Sequence, residues 1–507
     1  MTPSNFHRTA LVPVFKLPED ILLDIFLIIR DSSNHMSEDW YQITQICGYW
    51  RRLAVASPSL WTRLHNTPHA LIPLMLQRSQ AAPLDVHFSS LNFKHSTKTL
   101  TTVLHEIERI RTLTFDLMEP NFLDTVYDVL MSLGRDWEAY LLESLTIGIF
   151  GEESRSGWAR LAMDLFPPTR LLRRLSLIGV NYDWNMLPLP NLTHLDLRGQ
   201  SLGKVSGTHF IETLRHMQHL EVLGVNWKMV NLRQFPPTPR PHPIHLPCLQ
   251  RLEIWDGYPV HIESFLSLVT HPKLHQLTVD TLSPVTNIVA FAESVLPSIG
   301  KGNFSPFEFL NIAFDDDIIV TISAKHWSSY YGGSFIHMFT AIDEEVLYDI
   351  DDGRNFDFLV DIMSCITSFD CPDKIPLRHL CLENWDAPID KFTRLFAFLP
   401  HLEAIEVDQQ LALPLFRALN IASASDSASP IALPRLRSIT WNGKWIHNND
   451  GSVPMLSATV FNDLYSGLLS RHAYGTAITM LNLVGCPRLD EIQVNQLGEI
   501  GVELNVQ

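Results

Sequence analysis

Histidine, cysteine and acidic side chains are the groups through which this sequence could bind a metal or catalyse a reaction. The segment HPKLH (271–275) places two histidines at i,i+4, but it contains Pro272 and lacks the glutamate of a zinc-binding HExxH motif. Cys365, Cys371 and Cys381 lack the CxxC spacing typical of zinc sites. We therefore predict that neither group binds a metal.

An acidic segment, YDIDDGRNFDF (348–358), resembles a calcium-binding loop. If Gly353 took the sixth position of that loop, Tyr348 and Leu359 would stand where carboxylate ligands are needed. The nucleotide-binding motifs GxxxxGK[ST] and GxGxxG and the nucleophile motif GxSxG are absent from the sequence. The sequence thus predicts no catalytic residues, no metal and no cofactor, and an enzyme with a nonstandard site remains the residual alternative.

The composition is that of a globular protein with a strongly acidic balance. Of 507 residues, 46% are hydrophobic and 18% charged, and 38 basic against 55 acidic residues give a net charge of −17. This length leaves one very large domain, two domains or a repeat array open. The negative charge argues against nucleic-acid and anionic-membrane binding, since both need a cationic surface.

The cysteines and the N-terminal residues predict a compartment. The 6 cysteines are scattered rather than dense and paired, which favours a reducing environment. The first residues lack the apolar core of a signal peptide, and the run ILLDIFLII (21–29) is too short to span a bilayer. We expect a cytoplasmic or nuclear protein that does not bind membranes.

Two helical stretches are predicted near the N-terminus. LPEDILLDIFLII begins with Pro18 in a first-turn position, followed by acidic residues that favour the positive end of a helix. A second stretch runs roughly from Trp40 to Ala56, and SPSLW ends it because the residue before a proline avoids the helical conformation. The second helix is predicted to place Ile43, Ile46 and Trp50 on one side.

One short pattern, apolar-x-x-apolar-x-apolar, returns along the chain from Ile110 to Leu483. Examples are Leu172/Leu175/Leu177 and Leu249/Leu252/Ile254, and a proline often stands two residues before the first apolar position. Because that proline disfavours a continuous helix, we interpret each occurrence as a strand. The segments GTHFIETLRHM (207–217) and VHIESFLSLVT (260–270) between occurrences predict helices.

Strand, loop and helix at intervals of roughly 30 residues are typical of a leucine-rich-repeat solenoid. We therefore predict an α/β fold: an N-terminal helical module, then an irregular solenoid with a curved, mostly parallel sheet and outer helices. The predicted boundaries are a flexible N-terminus (1–14), the helical module (15–64) and the solenoid (65–507). Residues 311–376 break the rhythm and are predicted to be an insertion with extra β segments.

The helical module resembles an F-box. That family begins with a Leu-Pro helix start and ends with a Val-Cys-x-x-Trp-Arg-x-x-Ala core and a Pro-x-Leu-Trp close. Here the matching segments are LPEDILLDIF and ICGYWRRLAVASPSLW, with Ile46 in place of the commoner valine and a long polar loop between the helices. The resemblance implies docking on a Skp-type adaptor, and through it on a cullin, by Leu17, Pro18, Ile21, Leu22, Ile25, Phe26, Ile46, Cys47, Trp50, Leu60 and Trp61.

The rest of the chain looks like the divergent leucine-rich repeats of F-box proteins from mushroom-forming fungi. This resemblance implies a substrate-recognition subunit of a Skp–cullin–F-box ubiquitin ligase, with the repeats holding an unknown protein substrate for ubiquitin-dependent degradation. Residues between the core positions of the strands are predicted to point outward and contact that substrate: Arg174, His194, Asp196, Arg198, Asn226, Arg251, Glu253 and Trp255. The alternative is a repeat scaffold whose F-box-like segment only caps the solenoid.

Overall fold

A computed structural model describes the greater part of the chain, and the structural statements below concern the described residues alone. They are 17–32, 39–65, 67–89, 97–117, 121–132, 138–149, 170–180, 182–198, 205–231, 242–257, 259–274, 276–281, 309–315, 319–325, 335–341, 377–383, 389–424, 433–443 and 456–506. The predicted flexible segment 1–14 lies outside them. Contacts within the chain define two compact units, Met1–Val205 and Ser206–Gln507.

The first unit begins with short helices. Helix α1 spans Glu19–Ser32, as the Leu-Pro start predicts, and its Glu19 and Asp20 lie at the positive end of the helix dipole. A 3₁₀ turn (Asp39–Gln42), helix α2 (Ile43–Ile46), helix α3 (Gly48–Ala56) and a second 3₁₀ turn (Pro58–Trp61) follow. The single helix predicted from Trp40 to Ala56 is wrong, because Cys47 is extended and separates α2 from α3.

The remainder of the first unit alternates strands and helices. The strands are β1 (Arg63–His65), β2 (Leu84–Ser89), β3 (Ile110–Leu117), β4 (Ser144–Ile149), β5 (Arg174–Ile178) and β6 (His194–Arg198). The helices are α4 (Ile72–Ser79), α5 (Thr97–Leu104) and α6 (Asn121–Ser132), with 3₁₀ turns at Ile107–Arg109 and Trp184–Met186.

These strands form a parallel sheet whose register follows the apolar pattern. Leu113 of β3 pairs with Leu145, which pairs with Leu175, which in turn pairs with Leu195. All four side chains are buried. The central residue of the apolar pattern in each of these strands is therefore paired with that of the next strand, and the four leucines form one buried row.

The second unit has the same alternation. Its strands are β7 (Val222–Asn226), β8 (Ile244–His245), β9 (Arg251–Gly257), β10 (Val269–Thr270), β11 (Gln276–Thr281), β12 (Phe309–Asp315), β13 (Ile319–Lys325), β14 (Phe335–Ala341), β15 (His379–Glu383), β16 (Ala404–Asp408), β17 (Ser438–Asn442), β18 (Met480–Val484) and β19 (Glu503–Val506). Its helices are α7 (Gly207–Arg215), α8 (Pro259–Leu268), α9 (Ile389–Ala397), α10 (Gln409–Ala424), α11 (Ala458–Ala473) and α12 (Glu491–Glu499), with a 3₁₀ turn at Trp227–Met229. The helices predicted in 207–217 and 260–270 are confirmed as α7 and α8.

The strand pairs of the second unit are parallel except around β13. Leu223, Leu252 and Leu277 pair in one row across β7, β9 and β11. A further row runs from Leu380 through Ile405 and Ile439 to Leu481, across β15 to β18. The central position of the apolar pattern is therefore leucine throughout the first row and leucine or isoleucine in the second.

The predicted β segments of the insertion are confirmed as strands. β12, β13 and β14 form an antiparallel meander, with β14 parallel to β11 and β12 parallel to β15. The meander therefore lies within the sheet and joins its two parallel parts. Residues 342–376 of the predicted insertion lie outside the described residues.

Within the described residues, no helix combines the length and apolar character needed to cross a bilayer.

Candidate functional site

The N-terminal helices share a small internal core. Leu22 and Phe26 of α1 are completely buried, and the Phe26 ring lies 5.0 Å from the ring of Trp50 on α3. Burial of side chains of this size stabilises by about 1.5–3 kcal/mol each. Trp50 is half-buried, so it packs against α1 while part of the residue remains accessible.

Cys47 sets the direction in which α3 leaves α2. Its backbone is extended, with φ −157° and ψ 167°, and its Sγ atom accepts a hydrogen bond from the backbone N–H of Trp50 at 3.4 Å. The Arg51 side chain also donates to the carbonyl of Thr44, at 2.7 Å, and ties the two helices together across the break. The break leaves Ile43 buried but turns Ile46 outward, with 58% of its surface exposed.

Trp61 closes the helical module from the other side. Its side chain is buried, and its indole N–H donates to the carbonyl of Ala54 at 2.8 Å. The ring packs edge-on against Trp40, and the Arg78 guanidinium on α4 lies 4.2 Å above it, a cation–π contact. Trp61 therefore joins the helical module to the first helix that follows it.

Several large apolar side chains of the module remain exposed. Ile21 is 43% exposed and Ile28 is 63% exposed, and with Ile25 they occupy the i, i+4 and i+7 positions of α1. The stripe Ile21–Ile25–Ile28 runs beside the buried Leu22 and Phe26. Together with exposed Ile46 it gives the helical module apolar surface that its own core does not use, which is a property of binding modules.

Comparison with known families identifies this module. The F-box-like family model matches residues 14–67. F-box domains typically bind Skp-type adaptors, and the match indicates a general role as a ubiquitin-ligase adaptor. No curated protein matches the chain. The family match covers the helical module alone, and residues 14–67 are called the F-box-like segment below.

The structure divides the residues predicted to bind the adaptor into two groups. Ile21 and Ile46 are exposed, as is Pro18, and Leu17, Ile25, Cys47 and Trp50 are partly accessible. Leu22, Phe26, Leu60 and Trp61 lie in the interior of the F-box-like segment. These four buried residues can contribute to adaptor binding only by supporting the accessible side chains. That indirect contribution stays a prediction.

Sequence reasoning missed three exposed apolar residues of the F-box-like segment. They are Ile28, Ile29 and Val55. The signal for Ile28 was present, because it continues the i, i+4, i+7 stripe that begins at Ile21. It was missed because the family motif ends its first apolar run at Phe26.

Four of the predicted substrate-binding residues lie close together in the first unit. Arg174 pairs with His194 in register on β5 and β6, and Arg174 is exposed. Asp196 and Arg198 form an ion pair, with Arg198 Nε 2.9 Å from Asp196 Oδ1. Hydroxyl residues extend two of these rows across the neighbouring strands. Ser144 and Thr112 continue the row of Arg174 and His194, and Ser176, Thr146 and Thr114 continue the row of Asp196.

In the second unit, the prediction that Asn226 and Glu253 point outward is wrong, because both are buried. Asn226 is buried because its Oδ1 accepts the backbone N–H of Lys228 at 2.9 Å and caps the 3₁₀ turn after β7. Glu253 is 4% exposed and accepts a hydrogen bond from Arg251 Nε at 2.6 Å. Arg251 is exposed and Trp255 is half-buried, so these two remain accessible.

The residues considered for metal chemistry do not form a metal site where the structure describes them. His271 and Cys381 are both buried, and no group of three or more His, Cys, Asp and Glu residues in the described ranges is placed to hold a metal. His275, Cys365, Cys371 and the acidic segment 348–358 lie outside those ranges.

Proposed function

We propose that this protein is the substrate-recognition subunit of a Skp–cullin–F-box ubiquitin ligase. The observation that carries the proposal is an F-box-like segment whose core is complete without Ile21, Ile28 and Ile46. In this proposal the protein is not itself an enzyme and needs no cofactor. It acts in the cytoplasm or nucleus and marks its substrate for degradation.

The adaptor contact is centred on the exposed isoleucines and on the accessible part of Trp50. Few interface residues carry most of the binding energy, and truncating such a hot spot costs about 2 kcal/mol or more. Trp50 suits that role because its ring packs on Phe26 and its backbone N–H donates to Cys47 Sγ. Its conformation is therefore already restricted, and adaptor binding costs little conformational entropy there.

The repeats form the substrate-binding part of the proposal. The in-register rows of buried leucines support a divergent leucine-rich-repeat solenoid of the kind found in fungal F-box proteins. The polar strand face of the first unit then contacts the substrate, with Arg174, His194, Asp196 and Arg198 at one end. In the second unit Arg251 and Trp255 belong to the substrate-binding residues.

Adaptor binding is tested with the full-length chain and a purified Skp-type adaptor by isothermal titration calorimetry. Ile21→Asp and Ile46→Asp each place a charge on the exposed face and are expected to weaken binding about 30-fold or more, which corresponds to about 2 kcal/mol. Val260→Asp is the matched control, because Val260 is 67% exposed but lies on α8 of the second unit. Unchanged affinity in both test variants would remove the basis of the proposal.

Substrate binding is tested by proximity labelling with mass spectrometry, comparing wild type with Thr146→Trp. Thr146 lies in the middle of the polar face, between Thr114 and Ser176. A tryptophan there is expected to block the face, so that labelled substrates disappear while the adaptor is still labelled. If labelling of both the substrates and the adaptor is lost, the variant is misfolded. If neither is lost, the substrate binds at a different surface and the polar face is not the substrate-binding site.

A second candidate function is a repeat scaffold that the F-box-like segment only caps. It is favoured by the contact of Trp61 with Arg78 and by the pairing of Leu64 on β1 with Val86 on β2, which join the segment to the sheet. Terminal repeats need such a cap. In that case the Ile46→Asp variant and the wild type both fail to bind the adaptor, yet both retain the same labelled partners.

A further inference from the structure

A chain of charged side chains connects the end of α1 with the first strand. Asp31 accepts from Arg30 Nε at 2.8 Å and from Arg63 Nη1 at 3.2 Å. Arg63 lies on β1 and also donates from Nε to Nδ1 of His65, at 2.9 Å. One guanidinium therefore touches both a carboxylate of the F-box-like helix and an imidazole of the sheet.

The contacts of His65 fix its tautomer. Because Arg63 donates to Nδ1, that nitrogen carries the lone pair, and the proton of the neutral ring is on Nε2. The Nε2 atom faces Asp85 of β2, with Nε2 3.1 Å from Asp85 Oδ2. A second proton would have to enter at Nδ1, the position that Arg63 occupies.

Among the described residues, the charged groups that act on His65 and on its partner Asp85 lie on the first three strands. They are Arg63, Asp85 and His87, with Asp116 paired to His87 at 2.7 Å and Arg111 acting on Asp85. Burial lowers the pKa of His65, the nearby charges of Arg63 and His87 lower it further, and Asp85 opposes them. The neutral ring that receives Arg63 is therefore the favoured form at neutral pH.

We propose that neutral His65 is a latch that holds Arg63 against Asp31, and that protonation of His65 releases Arg63 and loosens the end of α1 from the first strand. Protonation places a hydrogen on Nδ1 opposite the Arg63 donor, so the two groups repel. Arg30 still donates to the carbonyl of Ser59, at 2.7 Å, so α1 loosens without detaching. The latch would change how rigidly α1 is held against β1, whichever partner the F-box-like segment binds.

The test is hydrogen–deuterium exchange of the full chain at about pH 7.5 and about pH 5, corrected for the intrinsic exchange rate. Acidification is expected to speed exchange in the last turn of α1 by about twofold to fivefold, the size expected for a partly exposed ion pair. His65→Asn keeps an oxygen near the position of Nδ1 that can accept from Arg63, but it does not titrate. It is expected to abolish the pH response while leaving α1 protected.

Two further variants and one control complete the test. His65→Gln places its amide nearer the position of Nε2, and Asp31→Asn removes the charge that Arg63 contacts; both are expected to loosen α1 at both pH values. His105→Asn replaces an exposed histidine of the same unit and should respond to pH as wild type does. If His65→Asn keeps the full pH response, or if Asp31→Asn leaves α1 protection unchanged, the latch is wrong.

Discussion

Trp50 and Trp61 lie close together in the sequence but differ in burial. Trp61 is buried, and its indole N–H donates to the carbonyl of Ala54, whereas Trp50 is only half-buried. The two residues predicted together as adaptor contacts therefore contribute differently. Trp61 stabilises the F-box-like segment, and Trp50 both stabilises it and is accessible to a partner.

Replacing Trp61 tests this assignment. Trp61→Ala is expected to lower the free energy of unfolding by about 3–5 kcal/mol, because it leaves a cavity beside Trp40 and removes the hydrogen bond from the indole to the carbonyl of Ala54. Trp61→Phe, which keeps most of the packing but loses the hydrogen bond, should cost about 1–3 kcal/mol. Urea unfolding followed by circular dichroism measures both, and equal stability of Trp61→Ala and wild type would contradict the assignment.

Among the secondary-structure elements, the repeated apolar pattern predicts strands correctly because its second and third apolar positions are two residues apart. Such residues lie on the same face of a strand. For example, Leu172/Leu175/Leu177 overlaps β5 and Leu249/Leu252/Ile254 overlaps β9. Strand β2 was not predicted although Leu84, Val86 and Phe88 alternate, because Ala81 and Ala82 precede it instead of a large apolar residue. Strand β1 has three residues and is too short to show a period.

The turn after β5 shows how closely successive strands approach. Gly179 has φ +68°, and a Cβ atom there would collide with the carbonyl oxygen of Ile149, the last residue of β4. Gly179→Ala is therefore expected to cost about 2 kcal/mol or more, combining backbone strain with the collision. Thermal unfolding measures it.

Gly475→Ala is the matched control for Gly179→Ala. Gly475 has φ +72°, but an added Cβ would meet no atom within 4 Å. That variant should show the backbone strain alone, about 1–2 kcal/mol. Equal losses in the two variants would mean that β4 and β5 can separate to admit a methyl group.

At the scale of the whole molecule, the net charge of −17 limits what the protein can bind. Nucleic-acid affinity depends mainly on neutralising phosphates with basic side chains. We expect no shift of duplex DNA in a gel assay at about 150 mM salt, where non-specific binders have Kd values of roughly 10⁻⁴–10⁻⁶ M. Binding that weakens steeply with salt would reveal a basic surface and contradict this expectation.

Much of the order of the elements could be predicted from the sequence, although strands β1 and β2 could not. The Leu-Pro start predicts α1, the apolar pattern predicts strands, and the irregular interval 311–376 predicts extra β segments. These features are local, because each depends on the period of neighbouring residues in the chain. The resemblance to an F-box likewise rests on a contiguous stretch of residues.

Only the tertiary structure decided which side chains are accessible. The extended Cys47 turns Ile46 outward, Asn226 is buried where it caps the turn at Lys228, and Arg63 of β1 meets Asp31 of α1. A periodic pattern carries no information about such outcomes, because they depend on individual backbone conformations and hydrogen bonds and on which elements pack together. Exposure and hydrogen bonding at a site are properties of packing, and packing is fixed only once all the elements are in place.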